Sequence, residues 1–278
     1  MGSNENNNQD RSGSVLYVYC IAEAGPANEM LSESSPPAIE DGAAVELIDA
    51  GNLAAIVSSV PSTSYDEMSL AEHLTDPSWT ALRAMRHENV VEHFAKRTSV
   101  VPLRFGTIYL ERARIETMLS DNNLRLAALL ERLRNREEWG VNVYLDKNLL
   151  MATITSLSPR LKDLTERAAN ASPGESYLLK KRIETMKADE ARIETNRAIA
   201  EIEKELGAKS VDARRLRVLK VEGTEHGELK AKFAFLIQRS EFQNFQSAAE
   251  KIARKLKSGG ISLELTGPWP AYNFAGDE

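Results

Sequence analysis

The chain has 278 residues, of which 42% are hydrophobic and 27% are charged, and its formal net charge at pH 7 is −6. This length is enough for one or two domains with substantial cores. The negative charge disfavours duplex nucleic-acid binders and polybasic membrane-surface proteins, because both need a dense basic face. The single cysteine, Cys20, excludes an internal disulfide and indicates a reducing compartment. No apolar run approaches the roughly 20 residues needed to cross a bilayer.

The N-terminal region predicts a short tail followed by strands. Residues 1–14 are rich in Asn, Ser and Gly and predict a disordered tail without the apolar core of a secretory signal. Residues 15–22 are rich in aromatic and β-branched residues, which predicts a first strand with Cys20 as a small core residue. The apolar runs 45–49 and 53–60 flank a Gly-Asn pair, which predicts a hairpin.

A helix is predicted to begin at Asp76, a suitable N-cap, followed by a proline at the first helical position, and to end near residue 97. Its apolar side is expected to comprise Trp79, Leu82, Met85, Val90 and Phe94. Residues 98–109 then predict a strand or a bent strand pair. An amphipathic helix over 115–133 and a strand over 139–145 follow.

The middle of the chain, residues 149–206, is largely helical in pattern and is interrupted at Ser172-Pro173-Gly174. Acidic and basic residues are mixed and nearly balanced there, which favours a two-helix arm or short coiled coil. The charged stretch 180–205 has two possible interpretations. It is either a helix for a partner or a solvated face with ion pairs one turn apart.

The last part predicts a return to strands. Residues 216–221 and 229–237 predict an antiparallel pair joined by a turn at 223–227, and residues 242–256 carry a regular helical stripe. Residues 261–265 alternate as a final strand. The order β-β-α-β is half or more of a ferredoxin-like sandwich, so the predicted class is α+β.

The predicted architecture has two lobes, each a ferredoxin-like antiparallel sheet with helices, joined by a helical, coiled-coil-like arm. The boundaries are expected to separate a tail over 1–14, an N-terminal α+β domain over 15–146, an arm over 147–210, and a C-terminal β-β-α-β segment with an aromatic tail over 211–278.

Three parts of the sequence carry a family resemblance. Leu-Tyr-Val-Tyr begins at residue 16, Pro-Leu-Arg-Phe-Gly occupies 102–106, and Gly-Pro-Trp-Pro-Ala-Tyr occupies 267–272. In combination, over about residues 15–274, they resemble the gas vesicle protein F and L family (GvpL/GvpF). The resemblance implies a cytoplasmic, vesicle-associated assembly or minor shell protein that binds the small hydrophobic shell protein and other gas vesicle accessory proteins, and so supports buoyancy. It implies no enzymatic activity, cofactor, metal, nucleic acid or membrane partner.

The C-terminal segment is the first candidate contact site. Pro268 and Pro270 fix the backbone angle φ and keep the chain extended. The stiffened segment carries Trp269, Tyr272 and Phe274, and such rings make strong partner anchors. The alternative is that the segment folds back and seals its own domain core, because soluble proteins rarely leave three aromatic rings uncovered.

Arg104 and Phe105 form a second, weaker candidate patch. Arg104 could hold a carboxylate or phosphate, which gives the alternative function of a ferredoxin-like regulatory module that binds a small anion. The competing interpretation is a surface ion pair beside a bend permitted by Gly106, since no phosphate-binding glycine loop accompanies it.

Other chemistries find less support in the sequence. His87 and His93 are six positions apart, which places them about 120° apart on a helix, so a satisfied or exposed histidine is favoured over a metal site. Residues 232–236 resemble part of an RNA-binding strand, but the expected glycine is absent. A hydrolase would need a nucleophile–base pair, and no Gly-x-Ser-x-Gly elbow is present.

Overall fold

The computed structural model describes residues 13–218 and 227–276, and these have the predicted α+β fold. They form two compact units. Unit 1 comprises residues 13–135 and 270–276, and unit 2 comprises the described residues between 136 and 269. Within the described part of the chain, no helix combines the length and the apolar character that a membrane span requires.

Unit 1 is built from five strands and six helices among the described residues. In chain order these are β1 (Ser14–Glu23), α1 (Ala24–Glu33), β2 (Glu46–Ala50), β3 (Leu53–Pro61), α2 (Ser62–Tyr65), α3 (Glu67–His73), α4 (Pro77–Ala95), β4 (Val100–Pro102), β5 (Ile108–Tyr109), α5 (Arg112–Asp121), α6 (Asn123–Leu133), with a 3₁₀ turn at Tyr272–Phe274.

The sheet of unit 1 has the strand order β2-β3-β1-β4, and its neighbouring strands are antiparallel. The short β5 pairs with β1 as well. With α1 and α4 as the crossover helices, this is the β-α-β-β-α-β arrangement of ferredoxin-like folds. The predicted hairpin and the predicted bent strand pair are both confirmed.

The central strand β1 is buried on both faces. Tyr17 and Tyr19 lie in the same core cluster as residues of α4, whereas Val18 and Ile21 lie in a second cluster with residues of α5 and α6. Alternation of side chains along a strand places Tyr17 and Val18 on opposite faces, and the register shift between Val18 and Cys20 brings Ile21 to the face of Val18. This explains why residues 15–22 are almost continuously apolar or aromatic.

Helix α4 begins as predicted, because Oδ1 of Asp76 accepts hydrogen bonds from the backbone N–H groups of Ser78 and Trp79 at 2.8 and 3.3 Å. The predicted apolar side was partly wrong, since Leu82 is 43% and Met85 is 55% exposed. The helix instead buries the face that carries His87, Val90, Val91 and Phe94.

The predicted helix over 115–133 is two helices, α5 and α6, which meet at Asn122. That residue has non-helical backbone angles, and its side-chain amide donates to the carbonyl of Met118 at 2.8 Å. Asparagine competes with the helical backbone for such bonds, so it ends one helix before the next begins.

Unit 2 contains four strands and four α-helices among its described residues. In chain order these are β6 (Arg136–Leu145), α7 (Lys147–Leu157), α8 (Pro159–Ala169), α9 (Pro173–Gly207), β7 (Asp212–Leu216), β8 (Glu228–Gln238), α10 (Phe242–Leu256) and β9 (Ile261–Trp269).

The sheet of unit 2 has the order β7-β8-β6-β9, again with antiparallel neighbours. The C-terminal strands and helix are therefore completed by β6, which pairs with β8 on one side and β9 on the other. This division of the chain differs from the expected boundary at residue 146, because β6 is an inner strand of the sheet of unit 2.

The structure does not show residues 147–210 as a separate arm. Apolar residues of α7, α8 and α9, including Ile154, Leu161 and Ile202, share one core cluster with Phe233 and Phe235 of β8. An unpredicted helix break occurs at Ser158, whose Oγ accepts from the N–H of Leu161 and donates to the buried carboxylate of Glu190 at 2.8 Å.

The outer side of α9 is solvated. Its charged side chains pair one turn apart, as in Lys187 with Glu184 and Arg197 with Glu194. The break before α9 was predicted at Ser172 and Pro173, and the helix begins at Pro173.

Some expectations fall outside the described residues. These are the tail over residues 1–12, the end of the strand expected at 216–221, and the turn expected at 223–226. Ser14, the last residue of the predicted tail, begins β1 instead, because it pairs with Pro61 at the end of β3.

Candidate functional site

Three of the five predicted contact residues meet at one cleft in unit 1. Arg104 and Phe105 come from the turn between β4 and β5, and Tyr272 comes from the C-terminal 3₁₀ turn. With Ala84, His87 and Glu88 of α4 they line a cleft of about 290 Å³.

The other two predicted residues lie elsewhere. Trp269 is at the end of β9 in unit 2 and is 46% exposed. Phe274 is fully buried, so its ring is withdrawn from any contact surface. The C-terminal segment from residue 270 belongs to unit 1, and not to the C-terminal β-β-α-β segment to which the predicted boundaries assign it. Tyr272 packs against one core cluster of unit 1, and Ala275 packs against the other.

The turn that carries Arg104 and Phe105 is fixed by its backbone. Gly106 has φ of +82°, a left-handed conformation that glycine adopts without steric cost. Its N–H donates to the hydroxyl oxygen of Tyr17 at 3.2 Å, and the side chain of Thr107 donates to the carbonyl of Arg104 at 2.7 Å. Phe105 is thereby held edge-on against Tyr17, with ring centroids 6.2 Å apart.

A chain of hydrogen bonds connects the centre of the sheet to the cleft through His87. The hydroxyl of Tyr17 lies 2.8 Å from Nδ1 of His87, and Nε2 lies 3.1 Å from the hydroxyl of Tyr272. That hydroxyl donates to Oε2 of Glu88 at 2.9 Å.

The donors and acceptors in this chain assign the tautomer of His87. Because Tyr272 gives its proton to Glu88, its oxygen accepts from Nε2–H of His87. Burial lowers the pKa of His87 to about 4, so the ring carries a single proton at neutral pH, and Nδ1 accepts the hydroxyl proton of Tyr17. His87 is therefore neutral, with its proton on Nε2.

Burial sets the protonation equilibria of this network. It lowers the pKa of His87 from its ordinary 6.5 to about 4, although a hydrogen bond with the backbone of Leu103 raises this pKa in part. Burial raises the pKa of Glu88, the hydrogen bond from Tyr272 partly lowers it, and the charge of Glu92 raises it further. The pKa of Tyr272 is raised by burial and by the neighbouring Glu88 carboxylate.

We expect unit 1 to lose about 3 kcal/mol of stability between pH 7 and pH 4 through His87. The unfolded chain takes up a proton near pH 6.5 and the folded one only near 4, so unfolding is favoured as the pH falls through this range. The measurement is hydrogen exchange of β1 amides across that range in the wild type and in His87→Gln.

The pH dependence should be clearly shallower in His87→Gln than in the wild type. The raised pKa of Glu88 adds stability as the pH falls, which is opposite to the effect of His87. Because both proteins contain Glu88, the comparison between them cancels this contribution. His73→Gln is the matched control, because His73 stacks on Trp79 away from this network. Identical slopes in the wild type and His87→Gln would show that another group is responsible.

Sequence reasoning did not connect Tyr17, His87 and Glu88 to the contact residues. The available signal was local: alternation along β1 puts Tyr17 and Tyr19 on one face, and a helix beginning at Asp76 contains His87. Nothing local indicates that Tyr272 meets a residue 185 positions away.

The remaining candidate sites have structural explanations. Cys20 is buried in the core as predicted, and burial raises the pKa of its thiol. In residues 13–218 and 227–276, no group of three or more His, Cys, Asp or Glu side chains is placed to hold a metal ion. Phe233 and Phe235 of β8 are fully buried, so their rings cannot stack on RNA bases.

Comparison with known proteins relates nearly the whole chain to gas vesicle proteins. The family model described as "Gas vesicle synthesis protein GvpL/GvpF" matches residues 15–276. Gas vesicle protein L of Streptomyces sp. strain CB03234 is 27% identical over 94% of this chain and 93% of its own length. Gas vesicle protein F of the same strain is 26% identical over 93% of this chain and 98% of its length.

Two crystal structures show the same fold. Gas vesicle protein GvpF from Anabaena sp. PCC7120 has a TM-score of 0.65 at 18% identity, covering 96% of this chain and 98% of its own. GvpF from Microcystis aeruginosa has a TM-score of 0.58 at 17% identity, covering 94% and 99%. From the match of the family model over residues 15–276, we conclude that this chain belongs to the gas vesicle protein GvpL/GvpF family.

Proposed function

We propose that this protein binds the small hydrophobic shell protein in the cytoplasm while gas vesicles form, as an assembly factor or a minor shell component, and thereby contributes to buoyancy. A gas-filled shell needs a water-repelling inner surface, so its subunit carries apolar surface that is prone to aggregate before incorporation. A soluble partner can cover this surface by burying apolar area, which is worth about 25 cal/mol per Å² and requires no chemical step.

The cleft of unit 1 is the observation that carries this proposal. It brings Phe105 and Tyr272 together at an opening on the surface, and Met85 lies one helical turn before Glu88. Met85 is 55% exposed, and Leu82 beside it on α4 is 43% exposed. Apolar side chains around an aromatic cleft are typical of contact sites for polypeptides.

Trp269 is a second candidate contact in this proposal. Its ring is half exposed, and its indole N–H lies 3.4 Å from the hydroxyl of Thr266. Phe274 is not retained as a contact, because it is fully buried.

Binding to the shell protein is tested by co-expressing it with tagged versions of this chain and measuring how much is co-purified. We expect Met85→Glu to reduce the recovered shell protein at least several-fold, because a carboxylate at this site opposes burial of an apolar partner. Met68→Glu is the matched control, since Met68 is 85% exposed on α3. Trp269→Ala tests the second candidate contact separately.

Two results would count against the proposal. If the wild type recovers no shell protein, the proposed function fails. If Met85→Glu recovers as much as the wild type, the surface beside the cleft is not the contact.

A small anion at Arg104 remains the alternative function. In its favour, the guanidinium of Arg104 has no ion-pair partner in the described part of the chain and is exposed at the cleft. Against it, the cleft also contains the carboxylate of Glu88, which repels an anion bound there. We therefore favour the polypeptide contact.

A further inference from the structure

One carboxylate oxygen in the cleft has no hydrogen-bond donor. Oε2 of Glu88 accepts from Tyr272, but Oε1 is shielded from solvent and has no partner within residues 13–218 and 227–276. A shielded acceptor that loses its water without gaining a donor is costly, and more so when it is charged.

No cation of the described residues compensates the charge of Glu88. The influences on its pKa are burial, the hydrogen bond from Tyr272 and the neighbouring Glu92, and the last of these is itself negative. Arg104 lines the same cleft but forms no ion pair with Glu88. It is exposed, so water and salt screen its charge.

The other walls of the cleft are apolar or aromatic. Ala84 and the rings of Phe105, His87 and Tyr272 surround the space beside Glu88, and His87 is neutral. A long aliphatic stem with a cationic head matches this arrangement, because the stem packs on apolar walls while the head reaches the carboxylate. Aromatic rings also attract a cation placed beside their faces.

We propose that the cleft receives a lysine or arginine side chain of the partner polypeptide, whose cationic head group compensates the charge of the Glu88 carboxylate. This inference rests on the proposed role of the cleft as a polypeptide contact, and it specifies the charge of the residue that enters it.

The charge is tested with two probes of nearly the same shape, n-butylguanidinium and n-butylurea, titrated while the backbone amide of Gly106 is followed by NMR. Both carry N–H donors on a butyl stem, and only the first is a cation. We expect the wild type to bind butylguanidinium about 10-fold or more tightly than butylurea, as a charge-assisted hydrogen bond gives. Equal binding of the two probes, or no binding of butylguanidinium, would overturn the proposal.

Glu88→Gln removes the charge and keeps an oxygen that can accept from Tyr272. It should bind butylguanidinium about 10-fold or more weakly than the wild type. Ala84→Met keeps Glu88 and fills the cleft, so it should block binding without removing the carboxylate. Wild-type binding of the cation by Glu88→Gln would overturn the proposal, and so would unimpaired binding by Ala84→Met.

Recovery of the shell protein separates this inference from the proposed function. Glu88→Gln should recover several-fold less than the wild type, whereas Glu72→Gln should not differ, since Glu72 is exposed on α3 and away from the cleft. If the wild type recovers no shell protein, the proposed function fails and the probe titration still decides the chemistry of the cleft. If the wild type and Glu88→Gln recover equal amounts, a basic residue of the shell protein does not enter the cleft.

Discussion

Phe274→Ala is expected to destabilise unit 1 by about 3–5 kcal/mol, the cost of removing a large buried ring from a packed site. Phe274 is fully buried in the segment that closes unit 1. Hydrogen exchange measured by mass spectrometry should show faster exchange in β1, while exchange in β6 of unit 2 stays near the wild-type value. Unchanged protection of β1 would show that unit 1 does not depend on this ring.

Trp269→Ala is the control for that experiment. Its ring is half exposed at the end of β9, so it should leave β1 unaffected. Truncation is a poorer test of shell binding. A chain that ends at residue 267 loses Tyr272 and Phe274 together, so it lacks part of unit 1 as well as a candidate contact. Point substitutions at the cleft are the cleaner test.

Gly260→Ala is expected to destabilise unit 2 by about 2–5 kcal/mol, from backbone strain together with a steric clash. Gly260 has φ of +76°, and an added Cβ would lie 2.6 Å from the carbonyl oxygen of Asp146 and 3.0 Å from the backbone nitrogen of Leu150. The backbone cannot yield easily here, because the N–H of Asp146 donates to the carbonyl of Gly260 at 2.7 Å.

The matched substitution is Gly174→Ala in the first turn of α9. Nothing lies within 4 Å of its added Cβ, and alanine favours the helix, so stability should be unchanged or slightly higher. Exchange of β6 amides reports on both variants. Equal stability of the two alanine variants would contradict the steric argument at Gly260.

The local sequence pattern was sufficient to predict an element where the apolar residues on one of its faces determine how it is buried. The aromatic and β-branched residues of β1, the proline after Asp76 and the regular stripe of α10 each predicted their element. The charged α9 was harder, because its many solvated side chains hide the narrow stripe that packs in the core of unit 2. Leu82 and Met85 were misplaced because hydrophobicity alone does not show that His87 is drawn inward by hydrogen bonds.

The candidate site was only half predictable. Arg104, Phe105 and Tyr272 were named from sequence segments, and the structure brings them together. Their meeting with His87 and Glu88 depends on contacts between distant parts of the chain, which periodicity does not encode. The pairing of β6 with strands more than 80 residues later has the same origin.

The return of the chain to unit 1 at residue 270 has a consequence for synthesis on the ribosome. All of the residues of unit 2 are translated before Tyr272, so unit 1 receives its last segment only after the whole of unit 2 has been made. The hydrogen bonds from His87 to Tyr272 and from Tyr272 to Glu88 can form only after Tyr272 has been translated. A nascent chain that stops before Tyr272 therefore has an incomplete cleft, and only a chain that includes this residue presents the finished cleft to other proteins.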